Sequence, residues 1–524
     1  MATNYFIGIG GTGARAAEAL VHLCGAGYGP GDLSIFLVDP DESNGNLNRT
    51  KAAITHYQDA RNSLGERRES MQVAGTDLAT PDPLVWNVLE RGDMRLADYI
   101  KHSNLEAKTH SDDEAGREAG RQGLADFARV LFSEDELDER LNKGFRGHPS
   151  IGATVMSDHD DSTDPWKTFW EDLENSAGTD AMRVFLAGSV FGGTGAAGIP
   201  TFGTPEMIKE HPKAQTGEGS KVHLGAALVL PYFTFDVEDR DRLFVTSADF
   251  PIATKAALQF YDEKKLAFDE MYFLGDSLSQ NVGEFSPGSR DQENRPHYIE
   301  VATALAAYDF FESDESEAGG DSKYFTAGRT SQRVDWDALP VSRHRDAVQP
   351  RRDALKRQLA TMTAFAYAFL DYGLPLLETP AGDVSAAWHQ DHFYSSSLFF
   401  GQDTSLDPRQ PEQKQSLERV GTYARQFLAW VTALDEGKGG AVDLIDRSKL
   451  VSARNGSPEL RDHNEHEHSI GTFMEPSRQM TFGAFINELN GVRIEDESMS
   501  PADKFVNLFY EAARRFCKKN YEIA

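Results

Sequence analysis

Two glycine-rich segments have the composition of loops that bind phosphate groups. The first, FIGIGGTGARAAEAL, starts at Phe6, and the second, GSVFGGTGAAGIP, starts at Gly188. Glycine has no Cβ, so main-chain N–H groups can approach a ligand closely there. Each loop precedes a helix-like run, whose first N–H groups and dipole attract anions. We therefore expect the two loops to hold one di- or triphosphate from two sides. The candidate ligands are Gly10, Gly11, Thr12, Gly13, Gly192, Gly193, Thr194 and Gly195.

The segments around these loops predict an α/β fold with a parallel sheet. Five runs are apolar almost throughout, as is typical of strands that are covered on both faces: YFIGIG, LSIFLVDPD, AMRVFLAGSV, KVHLGAALVLPYF and FDEMYFLGD. Helix-like segments alternate with them, which favours parallel pairing. Ligands of such sheets bind at the carboxyl ends of the strands, where both glycine loops lie.

Other interpretations of the loops remain open at this point. A Walker-type phosphate loop is excluded because Gly-Lys-Ser and Gly-Lys-Thr do not occur. Gly8, Gly10 and Gly13 fit the Rossmann pattern, with Asp39 ending the next strand, so an NAD(P)-dependent oxidoreductase is one alternative. That acid comes later than usual, and the second loop is then unexplained. Each loop could also be a tight turn without a ligand.

Composition and charge narrow the classes of partner. The chain has 524 residues, enough for two or three domains. Its 83 acidic and 53 basic residues give a net charge of −30, which disfavours binding to nucleic acid or to anionic membranes. Two cysteines and an N-terminus without a signal-peptide pattern lead us to expect a cytoplasmic protein. We interpret His463, His466 and His468 as an exposed polar segment and predict no metal centre built from protein ligands alone.

The order of these motifs resembles that of the tubulin and FtsZ superfamily, especially its divergent bacterial tubulin-like members. Gly8, Gly10, Gly11 and Gly13 match the family's first loop, G-x-G-G-x-G. Residues 192–195 match part of its G-G-G-T-G-S/T-G loop, and LVLPYFTFD and RPHYIEVATALAAYDFF resemble the strand and the central helix that follow. The resemblance implies binding of GTP or GDP, with ATP not excluded, together with magnesium. It also implies head-to-tail filaments, with protein partners of a filament, in which a neighbouring molecule completes the site for slow hydrolysis.

The resemblance also implies a division of the chain. Residues 1–293 correspond to the nucleotide-binding domain, with a helical insertion at about 50–145, residues 294–314 to the central linking helix, and residues 323–524 to a mainly helical (α+β) C-terminal domain.

Further site residues are implied, and some of them depart from the family pattern. Arg15 lies where FtsZ has an asparagine that contacts the nucleoside, and Asp276 ends the strand that FtsZ ends with Pro-Asn. Asp39 or Asp41, at the end of a strand beside the first loop, is a candidate for ribose or magnesium, with helix capping as the alternative. The catalytic motif N-x-D-x-x-D has no counterpart. The acids nearest its expected place are Asp309, Glu312 and Asp314.

These departures keep a second hypothesis open. Phe191, Ala196 and Ala197 replace three positions of the family's second loop. With the catalytic motif also missing, the chain could be a scaffold or interaction protein of the same fold that does not hydrolyse nucleotide.

Overall fold

A computed structural model gives the arrangement of the chain over most of its length. It describes residues 4–64, 74–87, 89, 94–102, 123, 126–141, 144–157, 159–175, 182–216, 219–220, 222–236, 250–276, 280–284, 294–313, 322–327, 334, 336–378, 384–394, 406–407, 409–434, 444–454, 457–460, 469–471, 480–494 and 499–521.

An eight-stranded sheet lies at the centre of the described part, and every pairing within it is parallel. The strands among the described residues are β1 (Asn4–Ile9), β2 (Asp32–Val38), β3 (Asp77–Ala79), β4 (Val85–Trp86), β5 (Met182–Ser189), β6 (Gln215–Thr216), β7 (Gly219–Ser220), β8 (Val222–Val229), β9 (Phe233–Asp236), β10 (Glu270–Leu274), β11 (Gln280–Glu284), β12 (Lys323–Ala327), β13 (Val451–Arg454) and β14 (Ser457–Leu460). The order across the sheet is β12-β10-β8-β5-β1-β2-β3, and β4 also pairs with β2. The predicted α/β class and parallel sheet are confirmed.

Helices cover both faces of this sheet and form most of the C-terminal part. The longer ones are α1 (Gly10–Gly25), α2 (Gly45–Ser63), α3 (Leu96–His102), α4 (Pro149–Met156), α5 (Trp166–Asn175), α6 (Gly193–Phe202), α7 (Phe250–Lys264), α8 (Tyr298–Phe311), α9 (Val348–Ala368), α10 (Pro411–Ala433), α11 (Phe482–Gly491) and α12 (Pro501–Asn520). Shorter helical segments are Glu134–Leu137, Gly144–Gly147, Pro212–Ala214, Trp336–Ala338, Arg345–Ala347, Phe369–Gly373, Leu374–Leu376, Ala387–His389, Gln390–Tyr394 and Arg447–Lys449.

The apolar runs form strands because side chains on both faces are buried. In β1, Phe6 packs into one hydrophobic core, whereas Tyr5 and Ile7 pack into the other, so each residue of the strand is covered. Helix α1 contributes to the first core and α6 to the second, so these two helices lie on opposite faces. The chain extends from β1 to β2 and β3 on one side, then returns to β5 on the other. The carboxyl ends of β1 and β5 therefore form the switch point at which such folds bind ligands.

The division into domains differs from the expectation in two places. The stretch predicted as a helical insertion contains β3 and β4, which join the main sheet. Strand β12, assigned in advance to the C-terminal domain, pairs with β10 at the edge of the same sheet. The C-terminal helices also share one continuous core with α1 and α2. Short, weakly apolar strands such as β3 gain their stability from the neighbouring strand, so their own sequence does not indicate them.

A histidine lies in the contact between the sheet-covering helices and the C-terminal helices. His22 of α1 is fully buried among the rings of Tyr423, Phe427 and Trp430 of α10, with centroid distances of 5.8, 5.9 and 4.8 Å. Neither ring nitrogen has a hydrogen-bond partner among the described residues. Burial, followed by the charge of Arg49, lowers the pKa of His22 to about 3. The ring is therefore neutral at physiological pH.

We predict that His22→Phe stabilises the protein, and more so in acid. At pH 8 the variant no longer buries two unbonded nitrogens, which stabilises it by about 1–3 kcal/mol. Because the folded pKa is depressed below about 6.5, protonation favours the unfolded state as pH falls from about 6.5 towards 3. At pH 5 this adds roughly 2 kcal/mol to the gain. Urea unfolding at both pH values measures it, with the exposed His344→Phe as control. An equal gain at pH 5 and pH 8 would contradict the assignment.

Candidate functional site

The two glycine loops meet at the carboxyl ends of β1 and β5. A Cβ atom placed on Gly10 would lie 3.2 Å from the Cβ of Thr194 and 3.4 Å from the main-chain nitrogen of Gly195. Residues 10–13 form the first turn of α1, and residues 192–195 lead into α6. We call these eight residues the glycine cradle. The structure thus brings together all eight residues that the sequence suggested as phosphate ligands.

Two glycines of the first loop are required by backbone geometry. Gly10 has a φ angle of +69°, a backbone conformation that residues with a Cβ rarely adopt. A Cβ on Gly13 would lie only 2.3 Å from the carbonyl oxygen of Ala187, so α1 can approach β5 closely only without one. A Cβ on Gly11, in contrast, would have its nearest neighbour at 3.8 Å. These positions fix where the helix begins relative to the neighbouring strand.

The helix N-termini at the cradle carry no side-chain caps. Ile9 and Gly192 occupy the N-cap positions of α1 and α6, and neither provides a side-chain hydrogen bond. Neither helix has an acidic residue in its first turn. The first N–H groups of a helix lack intrahelical partners, and the helix dipole places partial positive charge there. Two converging, uncapped N-termini therefore suit an anion.

Two hydroxyl groups add to these main-chain donors. The Ser189 hydroxyl lies 2.9 Å from where a Cβ on Gly192 would be and 3.2 Å from the same point on Gly195. Thr194 is 6% exposed and packs against Gly10. Within the described part of the chain, neither hydroxyl has a hydrogen-bond partner, whereas the Thr201 hydroxyl, in the same helix as Thr194, donates to the carbonyl oxygen of Ala197. Ser189 was missed from the sequence, although it ends the strand directly before the second loop.

Carboxyl groups lie at the end of β2, beside the first loop. Asp39 and Asp41 are each 3% exposed, and the main-chain N–H of Asp41 donates to Asp39 Oδ1 at 2.9 Å. Asn44 caps α2, and its amide nitrogen is near Gly11. Burial raises the pKa of Asp39 to about 7. A divalent cation would favour the ionised form, and Mg²⁺ commonly combines one or two carboxylates with phosphate oxygens.

Arg15 has partners that differ from the nucleoside contact implied by the resemblance. Its Nε lies 3.2 Å from Glu300 Oε1 of α8, and both side chains are almost fully buried. Its guanidinium also donates to the Tyr232 hydroxyl, which in turn donates to Glu300 at 3.2 Å. Arg15 therefore connects α1 to α8 behind the cradle, where its charge is already neutralised. Arg15 takes this position because it pairs with Glu300. The sequence alone could not indicate the pairing, since the two residues lie far apart along the chain.

Asp276 lies at the same edge of the sheet as the cradle. It follows β10, which is separated from β5 by β8, and it is 7% exposed.

Phe191, one of the three departures from the family loop, packs against Phe250 at 4.5 Å and Phe233 at 5.6 Å between ring centroids. The phenylalanine at position 191 is therefore part of an aromatic cluster beside the second loop.

Asp309 and Glu312, two of the three acids considered for catalysis, lie at the opposite edge of the sheet. Helix α8 begins near Tyr232, at the cradle, and ends near the first residues of β5 and β8, where Arg183 donates to the Ser313 carbonyl oxygen at 3.2 Å. Asp309, near this end, is 3% exposed. Glu312 follows the helix and is exposed. Asp314 lies outside the described residues, as do His463, His466 and His468.

Asp309 is held in a buried network of charges. Its carboxylate accepts from Arg343 Nε at 3.0 Å and from Arg351 Nη1 at 3.2 Å. Arg343 also donates to Glu270 at 2.5 Å and to Tyr272 at 2.7 Å. Because Asp309 is almost fully buried and both of its oxygens already accept within this network, we expect no role for it in positioning a water on another molecule's phosphate.

Comparisons of the chain with protein-family models, with curated proteins and with solved structures found no match. Among the helices that the structure describes, none is both long enough and apolar enough to cross a membrane. The described residues also contain no group of three or more His, Cys, Asp or Glu side chains arranged to hold a metal ion. The interpretation of the site therefore depends on its own geometry.

We predict a large effect for one alanine substitution in the first loop and a small effect for another. Gly13→Ala should prevent stable folding, because the added methyl group meets the Ala187 carbonyl oxygen at 2.3 Å and main-chain atoms cannot move aside cheaply. Gly11→Ala, which has space, should change the free energy of unfolding by less than about 1 kcal/mol. Soluble yield and thermal unfolding compare the two. Similar stability of both variants would mean that α1 does not begin as described.

Proposed function

We propose that the chain is a nucleotide-binding protein of the tubulin and FtsZ type, which holds the phosphate groups of GTP or GDP in the glycine cradle. The observation that carries the proposal is the convergence of two uncapped helix N-termini, with Gly10 against Thr194. A single loop of this kind is common in α/β proteins, but two facing loops provide donors on both sides of a polyphosphate.

The position of the cradle supports the proposal. It lies at the switch point between β1 and β5, where open α/β sheets bind ligands. The strand order β3-β2-β1-β5-β8-β10 and the buried helix α8 after β10 also agree with the fold that the resemblance implies. The same strand order occurs in dinucleotide-binding proteins, so NAD(P) is the proper comparison ligand in binding experiments.

Each group at the cradle has a role in this proposal. The first N–H groups of α1 and α6 and the hydroxyls of Ser189 and Thr194 donate hydrogen bonds to phosphate oxygens. Asp39 and Asp41 would hold Mg²⁺, which supplies charge neutralisation for the phosphates. These two carboxyls are close to Gly11 through the Asn44 turn, so the cation and the first loop face the same phosphate groups.

We predict that the double variant Ser189→Ala/Thr194→Val weakens GTP binding about 10²- to 10⁴-fold, because each of the two hydroxyls lost removes a hydrogen bond to a charged oxygen, which contributes roughly 1.5–3 kcal/mol when intact. Calorimetry with GTP, GDP, ATP and NAD(P) at millimolar concentrations with magnesium measures it. Thr201→Val, in the same helix but bonded to Ala197, is the matched control. Absence of GTP, GDP and ATP binding to the unaltered protein would refute the function.

The two ends of α8 lie at opposite edges of the sheet and indicate how molecules would be oriented in an assembly. The cradle lies at one edge of the sheet, and Glu312 is exposed at the other. In a head-to-tail stack, the Glu312 end of one molecule would face the cradle of the next. Such a contact joins different surfaces and does not close on itself, so it extends into a filament.

A second candidate is a nucleotide-binding scaffold of the same fold that does not hydrolyse its nucleotide. The specific observation in its favour is Asp309, which is occupied by Arg343 and Arg351. Of the three acids considered for catalysis, Glu312 is then the one that the structure describes as exposed.

We predict that phosphate release from GTP stays at the background rate and does not increase with protein concentration, because Asp309 is buried between arginines and Glu312 is not part of a catalytic N-x-D-x-x-D motif, which has no counterpart in the chain. Glu312→Gln should leave this rate unchanged. Release measured over a range of protein concentrations decides between the candidates. A rate that increases with concentration and is lost in Glu312→Gln would support an assembly-dependent GTPase and reject the scaffold.

A further inference from the structure

A cavity of about 400 Å³ lies at the edge of the central sheet that β12 forms. Its walls come from β10 and β12, from the segment 337–343, and from the first residues of α9. Strands β8 and β10 separate β12 from β5, so the cavity is distinct from the glycine cradle. Its volume is within the range that small organic molecules occupy in proteins.

One part of the lining is a network of charges whose members already bind one another. Tyr272, Asp309 and Arg343 line the cavity, and their side chains are almost fully buried. Arg343 donates to Asp309, to Glu270 and to the Tyr272 hydroxyl. Its guanidinium also lies over the ring of Phe325, 5.1 Å from the centroid. We therefore assign no ligand contact to the polar groups of this network.

A second part of the lining is apolar and only half-buried. It consists of Phe325 and Ala327 of β12, Ala338 and Pro340 of the segment that follows, and Val348 of α9. These side chains keep surface that an apolar group in the cavity would remove from water, which is favourable. The cavity can thus bind the apolar part of a ligand without opening the core.

The third part of the lining is Arg352, a cation whose present partner is easily replaced. Its Nη1 donates to Gln349 Oε1 at 3.2 Å and lies 2.5 Å from Asp337 Oδ1. Asp337 is 77% exposed, and an ion pair with such an exposed partner contributes little to stability.

The Nε atom of Arg352 is buried and has no hydrogen-bond partner among the described residues. A buried donor without an acceptor is unfavourable. A carboxylate binds a guanidinium side-on through two parallel N–H groups, here Nε and the neighbouring Nη2. A ligand carboxylate would therefore supply the acceptor that Arg352 lacks.

The charges of the lining favour an anion over a cation. Both acids that line the cavity, Asp309 and Asp337, already pair with arginines. Arg343 is neutralised by buried carboxylates, whereas Arg352 shares its charge with an exposed one. A cationic ligand would have to compete with these arginines for each acid.

We propose that this cavity binds a small organic carboxylate, whose charged end pairs with Arg352 and whose apolar body covers Phe325, Pro340 and Val348. The site goes beyond the proposed function and does not depend on nucleotide binding. Because Arg352 and Val348 belong to α9 and Phe325 to β12, the ligand would hold the start of α9 against the edge of the sheet. Binding to the folded state alone also stabilises it.

The test uses four small probes that separate the charge from the apolar body. Benzoate has both, benzyl alcohol lacks the charge, benzylamine has the opposite charge, and acetate lacks the ring. Calorimetry at millimolar concentrations measures their affinities for the full chain and for Asp337→Asn, Arg352→Gln and Asp346→Asn. Asp346 is exposed in the segment before α9 and lies outside the described lining, so Asp346→Asn is the matched control for the loss of one negative charge.

We expect benzoate to bind at least about tenfold more tightly than the other three probes, because the charge-assisted pair and the apolar contact are both needed. Asp337→Asn removes the competing carboxylate and should tighten benzoate binding about two- to fivefold. Arg352→Gln should weaken it at least about tenfold. Asp346→Asn should leave it unchanged.

Several outcomes would overturn the proposal. Absence of benzoate binding would refute the site, and benzyl alcohol or benzylamine binding as tightly as benzoate would refute the carboxylate. Acetate binding as tightly as benzoate would refute the apolar contact. Benzoate affinity that does not increase in Asp337→Asn, or that increases equally in Asp346→Asn, would refute the role of Arg352. Since Asp337 is exposed, this comparison decides the matter even if thermal unfolding shows that Arg352→Gln is unstable.

Discussion

The close approach of α1 to β5 is the constraint on which the other features depend. Strands β1 and β5 are neighbours, with Gly8 opposite Ala187, and Gly13 lets the first turn of α1 lie against the Ala187 carbonyl oxygen. Because parallel strands end at one edge, the helices that follow both strands begin there. One larger residue at position 13 would move the first turn of α1, and the two sets of N–H donors would no longer converge.

Buried ion pairs extend this arrangement from the cradle into the rest of the molecule. Arg15 binds Glu300, and Glu18, one turn further along α1, binds Arg49 of α2. Arg49 also donates to the Asn294 carbonyl oxygen at 2.6 Å, in the segment before α8. Removing one member of a buried pair leaves an uncompensated charge, whose cost is several kcal/mol. The positions of α2 and α8 relative to α1 are therefore strongly specified, beyond what apolar packing alone provides.

The strands and the glycine loops could be predicted from local sequence patterns. The ion pairs of the site and the edge strand could not, because they depend on contacts between segments far apart in sequence. The strands could be recognised because residues covered on both faces must be apolar throughout, and the loops because glycine clusters are destabilising where they are not needed. The pairing of Arg15 with Glu300, and of Asp309 with Arg343, joins segments far apart in sequence and leaves no local pattern. Strand β12 is similar: KYFTA is short, and its neighbour β10 gives it its place.

The position of Asp309 bears on how charge is distributed between the two edges of the sheet. Glu270 and Asp309 at one edge are balanced by Arg343 and Arg351, so this edge presents little net charge from its buried groups. At the other edge lie the helix N-termini and hydroxyls of the proposed phosphate site, with Asp39 and Asp41 beside them. In the proposed stack, Glu312 would meet a neighbour's phosphates, and two like charges repel unless a cation lies between them. Assembly would then depend on magnesium at Asp39 and Asp41 as much as on the nucleotide.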